Sequence, residues 1–296
     1  MTSPLDRQGP LVATTRAELA GMLAPARFGA DRIALVPTMG ALHDGHASLM
    51  RVARERVADG PVVVSVFVNP LQFGAGEDLD RYPRTFEADL AVCAHEGVDI
   101  VFAPAVDEVY PGGEPQVTVE PGPLAEVLEG KTRPGHFRGV LTVVAKLFGL
   151  VRPDVAVFGE KDYQQLALIR RMAADLCLGV EVVGAPTQRE PDGLALSSRN
   201  RFLDDEARRS AVALSRALFA ARAEAGQGLD AAVAAARAEL REANGVDLDY
   251  FVITAPDLSQ LPEEIPAGTR ARALIAARVG NTRLIDNLEL QFDRNS

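Results

Sequence analysis

Residues 36–49 read VPTMGALHDGHASL and mark the passage from a strand to a helix. The apolar run Ile33–Val36 leads into this stretch, and Ala47–Val57 has apolar residues at helical spacing. Between strand and helix lie a proline, two glycines and two of the four histidines of the chain. We therefore expect a strand–loop–helix unit whose glycines let the loop backbone approach a ligand closely.

The rest of the first two-thirds of the chain repeats this alternation of strand and helix. Strand-like patterns fall at Val62–Val68, Asp99–Phe102, Val155–Phe158 and Val180–Val183, and helical patterns fall at Phe86–His95, Val140–Leu150 and Gln164–Leu176. The run VVVSVFV at 62–68 does not alternate, which is typical of a parallel strand buried on both faces. Strands and helices in turn predict an α/β fold with a doubly wound, Rossmann-like parallel sheet.

The last third of the chain has a different pattern. Residues 204–244 are rich in alanine and arginine at helical spacing, and they are followed by the strand-like runs Tyr250–Thr254, Arg272–Ala276 and Arg283–Leu290. Helices followed by successive strands are typical of an α+β unit. The sequence therefore predicts two domains, a Rossmann-like domain at residues 1–186 and a smaller C-terminal α+β domain at residues 187–296.

The charge balance of the chain argues against a nucleic-acid binder. Its 296 residues carry a formal net charge of −10, which would repel the phosphate backbone of a nucleic acid. Only three of the 31 basic residues are lysines, at positions 131, 146 and 161. A small anionic substrate is compatible with this composition, because local charge rather than net charge forms a binding pocket.

Signals for a membrane or for export are not apparent in the sequence. No unbroken apolar run reaches the ~18–20 residues that a membrane-spanning helix needs. The N-terminal segment MTSPLDRQGP lacks a basic region followed by an apolar core, so we expect no secretory signal. Cys93 and Cys177 lie far apart in stretches with helical patterns, and we expect both to be reduced core residues of a cytoplasmic protein.

Unusual polar residues stand where the expected parallel strands end. HDGH at 43–46 follows the strand at 33–36, Asn69 and Gln72 follow the strand at 62–68, and Gly159–Asp162 follow the strand at 155–158. Open α/β sheets bind their ligands outside the carboxyl ends of the strands. The sequence therefore predicts a ligand site at this edge of the sheet.

The HDGH segment allows three interpretations. Gly40, Gly45 and a following helix N-terminus suit a phosphate cradle, in which His43 and His46 donate hydrogen bonds to phosphate oxygens. Alternatively, the segment is a plain helix start in which Asp44 is the N-cap and the histidines are solvated. A metal site is the third interpretation, although a third ligand at a recognisable spacing is missing.

Two further segments carry cationic and amide side chains. In GEKDYQQ at 159–165, Lys161 can act as a point charge against a triphosphate, and the glutamines can hold a hydroxyl or a carboxylate. In LALSSRNRF at 194–202, two serines and Arg199 can surround a phosphate through charge-assisted hydrogen bonds. The alternative for residues 159–165 is a helix start with solvated charges, and the alternative for residues 194–202 is an ordinary loop. Neither a Walker A sequence nor GxGxxG is present in the chain.

Taken together, these motifs resemble a known family. HxGH after a strand, with a serine-and-basic loop after the sheet, is similar to the nucleotidylyltransferase superfamily. The blocks PTMGALHDGH, VSVFVNPLQF, DLDRYPRT, LEGKTRPGHFRGV, FGEKDYQQL and DGLALSSRN occur in this order between residues 37 and 200, and a weaker block, RLIDN, follows at 283–287. In combination they closely resemble the pantoate–β-alanine ligase family, over essentially the whole chain.

The resemblance implies an ATP-dependent enzyme that works in two steps. Pantoate and ATP would form pantoyl adenylate and pyrophosphate, and the amine of β-alanine would then displace AMP to give pantothenate. The resemblance also implies Mg²⁺ held chiefly by the phosphates of ATP, a homodimer formed through the nucleotide-binding domain, and a C-terminal domain that covers the active site. Nucleic acids and membranes are not expected partners.

The resemblance assigns an ATP site by matching motif positions. The matched residues are Met39, Gly40, Ala41, Leu42, His43, Asp44, Gly45, His46, Gly159, Glu160, Lys161, Asp162, Gln188, Leu196, Ser197, Ser198 and Arg199. Among them, His46 would be the proton donor. His43 and Lys161 would contact the phosphates and stabilise the transition state, and Arg199 would take the place of a lysine found in the related synthetases.

Substrate and supporting residues are assigned in the same way. The residues expected to hold pantoate are Gln72, Gln165 and Met39. Asn69 and Glu129 would support the site without direct chemistry. Asp89 would be a carboxylate close to the metal ion.

Two other functions are compatible with the same motifs. The chain could be another adenylyltransferase of the superfamily, acting on a nucleotide or on phosphopantetheine. The neutral side chains of Gln72 and Gln165 favour a small hydroxy acid over such a phosphorylated substrate. A non-catalytic nucleotide-binding protein is the second alternative. It is disfavoured because all four expected catalytic residues are present, namely His43, His46, Lys161 and Arg199.

Overall fold

The computed structural model describes residues 9–74, 76–77 and 79–293. Most of the segment MTSPLDRQGP, on which the expectation of no secretory signal rests, lies outside the described residues, as does Asp78 of the DLDRYPRT block. The described chain forms two compact units. The first contains the residues up to Gly159 together with Leu168–Ala185, and the second contains Glu160–Ala167 together with the residues from Pro186 onward. The predicted first domain, residues 1–186, includes Glu160–Ala167, which group with the second unit in the structure.

The first unit is built on a parallel sheet. Its strands, within the described residues, are β1 (Leu11–Ala13), β2 (Ala34–Thr38), β3 (Val62–Val66), β4 (Ile100–Phe102), β5 (Val155–Gly159) and β6 (Glu181–Ala185). Neighbouring strands all pair in parallel in the order β1-β4-β3-β2-β5-β6, which confirms the predicted doubly wound α/β fold. The order reverses between β2 and β5, so their carboxyl ends form the switch point at which such sheets bind ligands.

Helices flank this sheet and cover its apolar residues. They are α1 (Arg16–Gly29), α2 (Asp44–Val57), α3 (Phe86–His95), α4 (Val106–Val109), α5 (Glu129–Thr132), α6 (His136–Val151) and α7 (Tyr163–Asp175), the last of which belongs to both units. Met50 of α2 packs in one fully buried cluster with Val36, Val64 and Val101 of the strands. Burial of each such side chain stabilises the fold by about 1.5–3 kcal/mol. This packing fixes the start of α2 against the sheet.

The sequence patterns missed β1 and α1. β1 has three residues and pairs with β4 at the edge of the sheet, which is too short for a periodic signal. Helix α1 contains Pro25, a residue that disfavours a helix interior. Its start nevertheless carries a capping box, in which the side chains of Thr15 and Glu18 each accept a hydrogen bond from the backbone amide of the other. The sequence TTRAE at 14–18 therefore contained a readable helix start.

The second unit combines two long helices with an antiparallel sheet. Its elements are α8 (Asp205–Glu224), α9 (Leu229–Glu242), β7 (Val246–Thr254), β8 (Thr269–Val279) and β9 (Thr282–Phe292). The three strands pair in the order β7-β8-β9. Leu214 and Leu218 of α8 share a buried cluster with Ile275 of β8 and Phe292 of β9. This arrangement confirms the predicted smaller α+β part at the C-terminus.

The two cysteines differ in a way that the sequence did not predict. Cys93 is buried in α3, where burial raises the pKa of its thiol to about 12. Cys177 is exposed, so the expectation that it lies in a helix and in the core is wrong. It follows the end of α7 in a left-handed conformation with φ 51°, and its amide bonds back to the carbonyl of Ala174. The chain therefore turns out of the helix before this cysteine.

No helix among the described residues combines the length and the apolar character needed to cross a membrane.

Candidate active site

The loop between β2 and α2 is packed too tightly for a side chain at Gly40. This glycine has φ +83°, and an added Cβ would lie 2.9 Å from Oδ2 of Asp89 and 3.1 Å from Cγ1 of Val66. Ala41 follows with φ 51°, a left-handed conformation that is strained for a residue with a side chain. The loop therefore holds a strained backbone next to a buried carboxylate, at the end of β2.

Asp89 of α3 supports this loop. Its carboxylate accepts hydrogen bonds from the amide of Ala41 at 3.1 Å and from the amide of Leu42 at 2.8 Å. The hydroxyl of Thr85 donates a third bond at 3.1 Å. Asp89 is 2% exposed, and both of its oxygens are engaged in these bonds. These bonds make Asp89 a support of the loop, and its predicted place close to the metal ion stays a prediction.

The two histidines cap helix α2 through the same ring nitrogen. His43 is the N-cap residue, and its Nδ1 accepts from the amide of Gly45 at 3.1 Å. Nδ1 of His46 accepts from the amide of His43 at 3.3 Å, and the ring centroids lie 4.1 Å apart. Since each Nδ1 is an acceptor, the proton of each neutral ring is on Nε2, which is then a donor. The alternative with Asp44 as the N-cap is wrong, because Asp44 is the first residue of the helix.

A dedicated metal cage is not found in the described part of the chain. Among its residues, no group of three or more His, Cys, Asp and Glu side chains could hold a metal ion. Mg²⁺ does not require such a cage, since it keeps several waters and commonly binds through substrate phosphates.

A chain of hydrogen bonds that starts at the buried residues Tyr110 and Asn69 orients the half-buried Gln72. Nδ2 of Asn69 donates to Oε1 of Gln72 at 3.0 Å, and Nε2 of Gln72 donates to the sulfur of Met39 at 3.1 Å. Asn69 is 1% exposed, and its Oδ1 accepts from the hydroxyl of Tyr110 at 2.8 Å. Burial raises the pKa of Tyr110, so its hydroxyl keeps the proton that it donates. The structure thus brings Met39, Asn69 and Gln72 together, as predicted from their positions.

A second set of contacts holds the backbone of Gln72. Nδ1 of His136 lies 2.8 Å from the carbonyl oxygen of Gln72, and Nε2 of His136 lies 3.1 Å from Nη1 of Arg133. A carbonyl can only accept and a guanidinium can only donate, so the His136 proton is on Nδ1. Arg133 also makes two bonds to the carboxylate of Glu77, at 2.8 and 2.6 Å. These bonds hold the pKa of Glu77 below its ordinary value.

Gly139 allows helix α6 to approach the backbone of Leu71 and Gln72 closely. An added Cβ would clash with the carbonyl oxygen of Leu71, which is backbone and cannot move aside cheaply. The carbonyl of Gly139 accepts from Nδ2 of Asn69 at 3.1 Å. Glu129, predicted as a supporting residue, is half-buried at the start of the short helix α5.

In the second unit, Lys161 lies in a 3₁₀ turn formed by Glu160–Asp162. Its Nζ is 3.6 Å from Oδ1 of Asp162, and its side chain is 19% exposed. Nδ2 of Asn287, in β9, donates to the carbonyl oxygens of Glu160 and Lys161 at 2.8 and 2.9 Å. Gln165 follows in the first turn of α7 and is half-buried. The turn that carries Lys161 is therefore held by the C-terminal sheet.

The serine-and-basic loop is a closed turn followed by a short helix. The amide of Leu196 donates to the carbonyl of Gln188 at 2.9 Å, and this bond closes the loop at its base. Oγ of Ser197 accepts from the amide of Arg199 at 3.2 Å and caps the 3₁₀ helix Ser198–Phe202. Arg199 itself is exposed. The loop is thus preformed around the predicted ATP-site residues of this unit.

Sequence reasoning missed several residues that hold these segments. The missed residues are Tyr110, Gly139, Arg189, Arg272, Asp286 and Asn287. Gly139 and Asn287 lie within motif blocks, so their positions carried a signal. Tyr110 carried none, because its partner Asn69 is 41 residues away in the sequence.

Known proteins similar to this chain share its motifs and its fold. The family model described as pantoate-beta-alanine ligase matches residues 11–289. The pantothenate synthetase of Nocardioides sp. is 74% identical over 287 residues, which cover 96% of this chain and 86% of that protein.

Solved structures agree with the sequence matches. The crystal structure of pantothenate synthetase from Thermus thermophilus superposes with a TM-score of 0.86 at 51% identity, covering 94% of this chain and 98% of that chain. Pantoate-beta-alanine ligase from Francisella tularensis, complexed with beta-gamma ATP and beta-alanine, superposes with a TM-score of 0.75 at 33% identity, covering 94% and 97% of the two chains. With the loop after β2, the hydrogen bonds around Gln72 and these matches in agreement, the chain belongs to the pantoate–β-alanine ligase family.

Proposed function

We propose that this chain condenses pantoate with β-alanine to form pantothenate, with cleavage of ATP to AMP and pyrophosphate. Family membership over residues 11–289 supports this function, as do relatives that carry the name pantothenate synthetase. The observation that carries it within the chain is the loop after β2, where Nδ1 of His43 and Nδ1 of His46 accept hydrogen bonds from backbone amides at the start of α2.

The reaction consists of two substitutions. A carboxylate oxygen of pantoate bonds to the α-phosphorus of ATP, and the bond from this phosphorus to the bridging oxygen breaks, so that pyrophosphate leaves. The amine nitrogen of β-alanine then bonds to the acyl carbon, loses a proton, and expels AMP. Two anions must approach each other in the first substitution, so fixed hydrogen-bond donors and cations around the phosphates lower its barrier.

The histidines act as fixed hydrogen-bond donors in this proposal. A neutral ring with its proton on Nε2 can donate to a phosphate oxygen without any rearrangement of the helix start. Protonation of Nδ1 would remove the acceptor that caps α2. We therefore propose that His46 acts toward the phosphates through Nε2, in its predicted role as the proton donor.

The remaining residues follow their predicted roles. Gln72 and Met39 bind pantoate, with Gln72 oriented by Asn69, and Gln165 adds a second amide. Lys161 and Arg199 supply positive charge to the phosphates. The residues that the motifs assign to ATP are 39–46 and 159 in the first unit, and 160–162, 188 and 196–199 in the second. Mg²⁺ would be held chiefly by the phosphates of ATP, where it would neutralise part of their charge.

We also propose that the chain forms a homodimer through its first unit. Three exposed valines, Val106, Val117 and Val127, lie between β4 and α6, and Val117 is 85% exposed. If these valines form one contiguous apolar patch on the folded chain, that patch is a surface on which a second chain can bind. Light scattering on purified protein tests this assembly, and a monomer at micromolar concentration would contradict it. The cytoplasmic location stays a prediction from the sequence.

The experiment that tests the function is pyrophosphate–ATP exchange by purified protein with Mg²⁺ and no β-alanine. Exchange that requires pantoate is the expected result. Without β-alanine only the first substitution takes place, and its reversal returns labelled pyrophosphate to ATP. Subsequent addition of β-alanine should convert the exchange into net formation of AMP and pantothenate. ATP binding without pantoate-dependent exchange would contradict the proposal.

The same assay separates the alternative functions. Another adenylyltransferase would exchange pyrophosphate with a nucleotide or phosphopantetheine as acceptor, and it would ignore pantoate. A non-catalytic nucleotide-binding protein would bind ATP and show no exchange with any acceptor. The neutral pair of Gln72 and Gln165 favours the hydroxy acid.

A further inference from the structure

The block RLIDN at 283–287 lies in β9 and has no role in the function proposed above. Two of its residues, Asp286 and Asn287, are 4% and 3% exposed. Along β9, Leu284 and Leu290 are buried and share the alternation of Asp286, whereas Glu289 and Gln291 share that of Asn287 and are exposed. At Asp286 and Asn287, therefore, both faces of the strand are buried. Buried polar side chains need hydrogen-bond partners, which these two residues therefore require within the fold.

Asn287 is satisfied at both ends of its amide. Its Nδ2 donates to the carbonyl oxygens of Glu160 and Lys161, and its Oδ1 accepts from Nη1 of Arg272 at 3.1 Å. Arg272 can only donate, so it fixes the amide with its NH₂ group facing the turn. Arg272 also bonds Oε2 of Glu160 at 3.3 Å and lies 3.9 Å above the ring of Tyr163. Backbone and side chains of the turn are thus both held.

Asp286 holds the second segment, residues 189–199, which ends at Arg199. Its carboxylate accepts two hydrogen bonds from Arg189, at 2.6 and 2.9 Å. Arg189 in turn donates to the carbonyl of Gly193 at 3.1 Å, across the loop that leads to Arg199. The amide of Asn287 donates to Oδ1 of Asp286 at 2.7 Å, so the two residues are also bonded to each other.

We propose that Asp286 and Asn287 are positioning residues that jointly fix the two segments bearing Lys161 and Arg199. This inference rests on the proposed function, in which both cations face the phosphates of ATP. Neither residue touches substrate; each acts through backbone and arginine contacts. Displacement of a charged group by about 1 Å can reduce a rate roughly 100-fold, so small shifts of these segments matter.

The test compares Asn287→Ala with Leu284→Ala, which truncates a buried apolar side chain of the same strand in the core of the second unit. Pantoate-dependent exchange should fall about 10- to 100-fold in kcat for Asn287→Ala, with KM for pantoate unchanged. Leu284→Ala should lose stability and keep its kcat per folded molecule. Asn287→Asp keeps the side-chain volume and replaces the donor with an oxygen, so it should show the same loss if Asn287→Ala does not fold.

A double mutant distinguishes positioning from general destabilisation. Added to Lys161→Met, Asn287→Ala should cause little further loss of rate, because both changes remove the same contribution. Full additivity would overturn the proposal, and so would a folded Asn287→Ala protein with wild-type kcat.

A measurement that does not depend on enzymatic activity tests this inference separately from the proposed function. Hydrogen–deuterium exchange of the peptide covering 160–167 should be faster in Asn287→Ala and unchanged in Leu284→Ala. Asp286→Asn should speed exchange in the peptide covering 188–199. If wild-type protein lacks pantoate-dependent activity, the proposed function fails, and unchanged exchange in both peptides would independently refute the positioning role.

Discussion

The hydroxyl of Tyr110 donates a hydrogen bond of 2.8 Å to Oδ1 of Asn69, and both residues are buried. This bond determines which end of the Asn69 amide faces Gln72. With Oδ1 occupied, Nδ2 points to Oε1 of Gln72, and Nε2 of Gln72 is left as the donor. A tyrosine outside every quoted motif therefore sets the direction of the amide that we assign to pantoate.

Tyr110→Phe should weaken the use of pantoate more than the use of ATP. Loss of one buried hydrogen bond of about 1.4 kcal/mol corresponds to a roughly tenfold rise in KM for pantoate. Exchange kinetics at varied pantoate and varied ATP measure both constants. Tyr250→Phe, on β7 in the second unit, is the matched control and should leave both unchanged. Equal increases for the two substrates would contradict the orientation role.

Asp89→Asn should disrupt the loop between β2 and α2. The variant keeps one acceptor oxygen and presents an NH₂ group to a backbone amide that needs an acceptor. We expect a loss of about 2 kcal/mol in the free energy of unfolding, measured with urea, together with a higher KM for ATP. A metal ligand would behave differently, since its loss would raise the Mg²⁺ concentration needed for half-maximal rate. An activity loss that excess Mg²⁺ restores would count against the positioning role.

His46→Asn separates capping of α2 from chemistry at the phosphates. The asparagine oxygen can accept from the amide of His43 in place of Nδ1, while the donor at Nε2 is lost. We expect a normally folded protein whose exchange rate falls about 100-fold, the usual cost of one fixed donor. His46→Gln should retain part of the rate, because its amide nitrogen reaches toward the position of Nε2. Wild-type rates in His46→Asn would rule out the proposed role.

The ion pair between Glu77 and Arg133 predicts a pH-dependent contribution to stability. Arg133 holds the folded-state pKa of Glu77 below the ordinary 4.5, so the pair stabilises fully above that pH. The contribution is lost as pH falls below 4.5 and through the lowered pKa. Glu77→Gln should cost about 1–2 kcal/mol at pH 7, after allowance for partial solvent screening. The difference in unfolding free energy between wild type and variant should shrink below pH 4.5; a constant difference would disprove the assignment.

Local patterns in the sequence were sufficient for most of the secondary structure. VVVSVFV lacks alternation because β3 is covered on both faces, and the structure buries Val62, Val63 and Val64 completely or nearly so. Helix α3 has the predicted bounds Phe86–His95. Failures occurred where local signals were short or misleading, as for β1, for α1 with its internal Pro25, and for Cys177 beyond the end of α7.

By itself, the sequence determined the order of strands and helices and the residue types at the carboxyl ends of the strands. These features depend on residues that are close together along the chain, so hydrophobic period and motif spacing reveal them. Only the tertiary structure decided which residues hold the site. Tyr110 lies 41 residues from Asn69, and Asn287 lies 126 residues from Lys161. The contacts of Asp89 with the amides of Ala41 and Leu42, 48 and 47 residues away, likewise appear only in the folded chain. A buried polar group takes whichever partner the fold brings within hydrogen-bond reach, and that choice has no periodic trace in the sequence.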